Sequence, residues 1–110
     1  MLTGVRYQVG TQLELTLPSP AATDAALDRW VRELAGSGVP EAMWGGRPGV
    51  GRVEVMLIVE ATDAEHALAI AVTGLRTTAR AMGRALPAWR LRSLAAQPLG
   101  NPEDWPGSEE

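Results

Sequence analysis

The chain holds one histidine, His66, and no cysteine. An imidazole alone can act as a general base or a haem ligand. No thiol and no second histidine stands ready to complete a metal site or a nucleophile pair. His66 therefore reads as a polar residue in the first turn of a helix. No run of clustered Asp or Glu suggests a carboxylate metal site. The residue types accordingly assign no catalytic residue, no metal and no cofactor.

The basic residues are more suggestive. All are arginine; lysine is absent. Arg76, Arg80 and Arg84 recur every four positions, so they line one face of a helix. Such a stripe can receive an anionic partner, and it is equally what a solvated helix face looks like. The net charge of −3 disfavours general nucleic-acid affinity, which rests on cationic residues neutralising phosphates. Charge is also unevenly distributed. Between His66 and Gln97 there is no Asp or Glu, whereas Glu103, Asp104, Glu109 and Glu110 fall in the last stretch without a base. The segment from Gly45 to Gly51 is glycine-rich, but a phosphate cradle needs a helix start directly behind it. A strand pattern follows instead, so the segment reads as a turn or loop.

These residues must be positioned by elements that hydrophobic periodicity makes visible. From Val5 to Leu17 every second residue is apolar or Thr, which predicts a strand with one buried and one wet face. Gly10 marks an expected bulge or kink in that run. A first helix starts either with Ser19 capping and Pro20 at the first helical position, or at Thr23 or Asp24. Leu27, Trp30, Val31 and Leu34 form its apolar stripe, and Asp28 with Arg32 makes a favourable exposed pair. Val39 to Trp44 is left open between a short edge strand, in which Pro40 would remove one ladder donor, and no strand at all. Arg52 to Ala61 alternates again, with Val53, Val55, Leu57, Val59 and Ala61 on one face. Thr62 and Glu65 have the spacing of a capping box. Behind them runs a helix with Leu68, Val72, Leu75, Ala79 and Met82 inward, ended by Pro87. Ala88 to Ala96 completes the pattern as a strand, with Trp89 and Leu91 on one face and Arg90 and Arg92 on the other.

The chain thus echoes itself. A strand leads into Thr23-Asp24 and an Ala-rich helix; a second strand leads into Thr62-Asp63 and another. The order β-α-β-β-α-β predicts a split βαβ sandwich, an α+β fold with four antiparallel strands in the order 4-1-3-2 and both helices on one face. This pattern, over about residues 5 to 97, resembles the ferredoxin-like superfold and small high-GC bacterial proteins of unknown function that share it. That resemblance implies a range of roles, from metabolite sensing and RNA binding to cofactor-free oxygenation and dimerisation, without choosing among them. The expected organisation is one domain over 1–97 and an acidic, Pro-rich tail over 98–110. Trp105 in that tail is either a docking anchor or a residue packed on its own domain.

Most of the open sheet face should be polar, carrying Arg6, Gln8, Gln12, Glu14, Arg52, Glu54, Glu60, Arg90 and Arg92. Tyr7 and Trp89 point inward and Phe is absent, which disfavours RNA recognition through the sheet. Met56 and Ile58 interrupt the polar face. An apolar patch inside a charged rim is what an interface looks like. The expectation is therefore a non-catalytic interaction or regulatory module, forming a homodimer or binding a partner protein through Met56 and Ile58. Arg6, Glu14, Glu54, Arg90 and Arg92 would form its rim. The alternative is a cofactor-independent dimeric α+β-barrel-type enzyme or small-ligand-binding protein, with a pocket between sheet and helices lined by Trp30, Trp89 and Tyr7. Residues Met1 to Val9 show no basic start followed by an apolar stretch, and the apolar runs, such as Val55 to Val59, are far too short for a membrane span. A cytoplasmic protein is expected.

Overall fold

Alternating and helical patterns meet as expected in the computed structural model, which describes residues 5–16, 20–37 and 39–99. The elements are β1 (Val5–Leu15), α1 (Pro20–Ala35), β2 (Glu41–Arg47), β3 (Arg52–Ala61), α2 (Ala64–Met82) and β4 (Trp89–Pro98). They form the ferredoxin-like α+β sandwich: one sheet in the order β2-β3-β1-β4, every neighbouring pair antiparallel, beneath two helices. The two echoing strands, β1 and β3, pair at the centre, from Val5 opposite Ala61 to Glu14 opposite Arg52. No helix among the described residues is long and apolar enough to cross a membrane.

The core lies between sheet and helices. Val9, Thr11, Leu13, Val53, Val55, Leu57 and Val59 bury one face of the central strands. Leu27, Trp30 and Leu34 of α1 and Leu75 of α2 are equally inaccessible. Burying each such Leu contributes about 1.5–3 kcal/mol. Thr11 is the one polar side chain on the inward face of β1; its hydroxyl donates to the Val55 carbonyl at 2.8 Å, which offsets its desolvation. The buried ridge of α2 runs through Ala67, Ala71, Leu75, Thr78 and Met82, while Leu68, Val72 and Ala79 flank it half-buried. Its small residues let the helix lie close to the strands.

Several boundaries differ from expectation, each for a local reason. α1 starts at Pro20, so Thr23 and Asp24 lie inside it; Ser19 falls outside the described residues. Asp28 is held by the Trp44 indole, whose Nε1 donates to its Oδ1 at 2.8 Å, and not by Arg32. That bond ties the edge strand β2 to α1. β2 does form, beginning at Glu41 and continuing through Gly45-Gly46-Arg47, which the glycine content had suggested was loop. Gly46 allows this: its φ is 105°, and a β-carbon there would stand 2.7 Å from the Arg52 carbonyl oxygen.

Asp63, not Thr62, caps α2, with its carboxylate accepting from the His66 amide at 2.7 Å. His66 Nδ1 in turn accepts from the Thr62 amide at 3.0 Å, so the imidazole, not Glu65, reaches back over the cap. α2 ends at Gly83, well before Pro87, because the Gly83 amide closes back on the Ala79 and Arg80 carbonyls. β4 extends through Pro98, whose missing N–H is tolerated on an edge strand.

Candidate functional site

The sheet face that no helix covers is ordered by strand register into rows. Arg47, Arg52, Glu14 and Arg90 cross one end of the sheet side by side. Gly45, Glu54, Gln12 and Ser93 form the next row, and Met43, Met56, Gly10 and Ala95 the one after it. Glu41, Ile58, Gln8 and Gln97 follow. The face therefore grades from cationic, through polar, to apolar and small, then to polar again.

A β-bulge sharpens the cationic end. Gln12 pairs with Ser93 and Leu13 with Leu91, which leaves Arg92 as an extra residue in β4. Arg92 joins Arg90 over Glu14. Arg90 Nη2 donates to Glu14 Oε1 at 2.8 Å, and Arg92 Nη1 to Oε2 at 2.5 Å. These two hydrogen bonds, that of Arg90 first, hold the Glu14 carboxyl below its ordinary range. Both carboxylate oxygens are thereby engaged. Arg52, directly opposite Glu14, has no carboxylate within ion-pair distance among the described residues. Glu54 is likewise unpaired there. At the far end Arg6 is matched with Glu60 at 3.7 Å.

Two adjoining concavities hollow this face. One, of about 300 Å³, is lined by Gln12, Glu14, Gly46, Arg52, Glu54 and Arg92, with the backbone of β1 and β3 beneath. The other, of about 320 Å³, lies over Gly10, Gln12, Glu54, Met56, Ser93 and Ala95. Gln12 and Glu54 belong to both, so the two form one trough along β1. Gly10, which has no side chain, lies on its floor between Met56 and Ala95. β1 runs through Gly10 in register with both neighbours, so the expected bulge or kink is not there; the bulge is in β4. Gly10 does not have a positive φ, and a β-carbon placed on it would meet nothing within 4 Å. Neither backbone geometry nor crowding demands glycine here.

The residues singled out from sequence are distributed as follows. Met56 and Ile58 lie on the open face, Met56 at 36% exposure, but Met56 borders the trough and does not crown a flat patch. Arg6, Glu14, Glu54, Arg90 and Arg92 share that face. Arg76 and Arg80 are exposed on α2, whereas Arg84 falls in the 3-10 turn Gly83–Ala85 beyond it. His66 is exposed and occupied with the Thr62 amide. The described residues contain no group of three or more His, Asp or Glu able to hold a metal.

Trp30, Trp89 and Tyr7 line neither concavity; Trp30 is fully buried and Tyr7 nearly so, on the covered side between sheet and helices. Trp30 and Trp89 pack together with ring centroids 5.1 Å apart, and the Trp30 Nε1 donates to the Thr78 hydroxyl at 2.8 Å. Large rings fill that space, so the hollow surface lies on the opposite side of the sheet. The contributions of Gly10, Gln12 and Ser93 were missed from sequence. The one available signal was a glycine in the middle of a long strand. Of the expected tail, Pro98 belongs to β4 and the Leu99 amide donates to the Arg6 carbonyl, while Trp105 and the rest beyond Leu99 lie outside the described residues.

The sequence matches no protein-family model and no curated protein. Solved structures share its fold. A structural-genomics target, protein YJCS, aligns at a TM-score of 0.56 and 8% identity, covering 84% of this chain and 96% of that one. A candidate antibiotic biosynthesis monooxygenase from Chloroflexus aurantiacus J-10-fl aligns at a TM-score of 0.50 and 20% identity, covering 84% and 91%. A mutant of SnoaB, a cofactor-independent oxygenase from Streptomyces nogalater, overlaps more loosely, at a TM-score of 0.47 and 16% identity over 81% and 89%. The first two establish the fold. The expectation of a non-catalytic interaction module is overturned. The patch on which it rested borders a trough of ligand size.

Proposed function

We propose that this protein binds a small organic molecule in the trough on its open sheet face. The observation that carries the reading is Gly10. A glycine inside a strand weakens it, and often marks where a ligand or another backbone comes close. Here nothing among the described residues uses the space it leaves. Each concavity is at the lower end of the size range of ligand sites. The small floor of Gly10, Ser93 and Ala95 suits a flat ring system, and Gln12 and Glu54 offer hydrogen-bonding groups beside it. That flat floor makes aromatic compounds the first to try, and a fold neighbour is described as a candidate antibiotic biosynthesis monooxygenase.

The test is a titration of isotope-labelled protein with such compounds, followed by amide chemical shifts. Shifts should concentrate at Gly10, Gln12, Ser93 and Ala95. Gly10→Val, which fills the notch, should abolish them while the remaining spectrum stays folded. Shifts elsewhere, or binding that survives Gly10→Val, would refute the assignment.

A further inference from the structure

The charge laid along the trough narrows the chemistry of the ligand, given the ligand reading above. We infer that the ligand is an elongated organic acid. Its carboxylate would lie at Arg52 and Arg92, and its apolar body over Gly10, Met56 and Ala95.

Four observations lead there. First, Arg52 faces a carboxylate that is already taken. Both oxygens of Glu14 are engaged by Arg90 and Arg92, and Arg52 is left exposed without an acid among the described residues. A guanidinium presents paired N–H donors that match a carboxylate edge-on. Second, the end of the sheet is cationic as a whole: Arg47, Arg52, Arg90 and Arg92 stand against Glu14 and Glu54. Third, the opposite end has no comparable group. Arg6 is matched by Glu60, and Glu41 is acidic, so an anion has one end to prefer. Fourth, the distances suit a long molecule. Glu14, beside Arg52, and Gly10 are four residues apart on β1, about 13 Å at strand spacing.

Glu54 sits midway and sharpens the inference. Its carboxylate repels an acid group close by and welcomes a hydrogen-bond donor, such as a hydroxyl, on the ligand's middle. A monoanion therefore fits better than a dianionic phosphate. It follows that Arg52 and Glu54 should act on affinity with opposite signs, although both are exposed and on one strand.

Biphenyl-4-carboxylate and biphenyl-4-carboxamide have the same shape and differ in charge. Their affinities for the full chain would be measured by calorimetry, with amide shifts to place the binding. The acid is expected to bind at least tenfold more tightly than the amide. Arg52→Gln should remove most of that difference by weakening the acid alone. Glu54→Gln should strengthen binding of the acid and leave the amide unchanged. Equal affinity of the two probes, with shifts around Gly10, would overturn the acid inference and leave the ligand reading standing. If only neutral compounds of the wider panel bind, the acid inference also falls. If nothing perturbs the trough, both fall.

Discussion

A valine at position 10 would place its β-carbon in open space between Met56 and Ala95. It should stabilise the fold by about 0.5–1 kcal/mol, because a β-branched residue suits a central strand better than glycine does. Urea unfolding of Gly10→Val checks that gain, and a loss of stability would mean that the notch serves the fold after all. A second residue-scale test concerns the core. Trp30 is fully buried, and its indole N–H has the Thr78 hydroxyl as acceptor. Thr78→Val keeps the shape and removes the acceptor, so it should cost about 1–3 kcal/mol in the same assay. At this scale sequence was a partial guide. Trp30 announced itself by its place in an apolar stripe. Its partner did not, since a Thr inside an Ala-rich helix has no distinctive pattern. The trough was harder still, because it is a lack of side chains at positions that only strand pairing brings together.

Caps and clamps decide how firmly each element is held. Asp63→Ala should destabilise the protein by about 1 kcal/mol, as loss of a helix cap does. Thr62→Ala should have a smaller effect, since the Thr62 hydroxyl accepts no hydrogen bond from the helix amides. Comparing the two melting temperatures tests which residue caps α2; equal losses would contradict the geometry. Thr62-Asp63-Ala64-Glu65 offered two overlapping cap readings, and only backbone direction chooses between them. The clamp of Glu14 on β4 has a pH signature. Because the folded protein holds this carboxyl below its ordinary value, its contribution is complete at neutral pH. It fades as pH falls from about 5 toward the depressed value, where protonation releases Arg90 and Arg92. Protection factors of the amides at the start of β4, which correct for the slower intrinsic exchange in acid, should therefore fall on acidification. Glu14→Gln should exchange faster at neutral pH and lose that part of the acid response.

For the whole molecule, the echo of two strand-helix units was the most legible feature, and it led to the right sheet. Two long, similarly apolar strands belong at the centre, and right-handed crossovers place both helices on one side. Function was less legible for a reason rooted in that same design. The helices and the large rings Trp30 and Trp89 fill the covered side, where a sandwich would ordinarily be searched for a pocket. The uncovered side looked like a mixture of charge and two apolar residues. Only strand order sorts that mixture into a cationic end, a polar middle and a small apolar floor.

The bulge at Arg92 carries an implication for how this chain tolerates change in length. Removing one residue from a strand ordinarily turns every later side chain to the wrong face. Here Leu91 and Leu94 both pack inward although three positions separate them, and Arg92 has no partner across the ladder. Deleting it would restore regular pairing and leave Leu94 and Ala96 facing the core. Position 92 is thus a place where heredity can drop a codon and keep the sheet, surrendering one of the two arginines that grip Glu14 and, with it, part of the proposed carboxylate site.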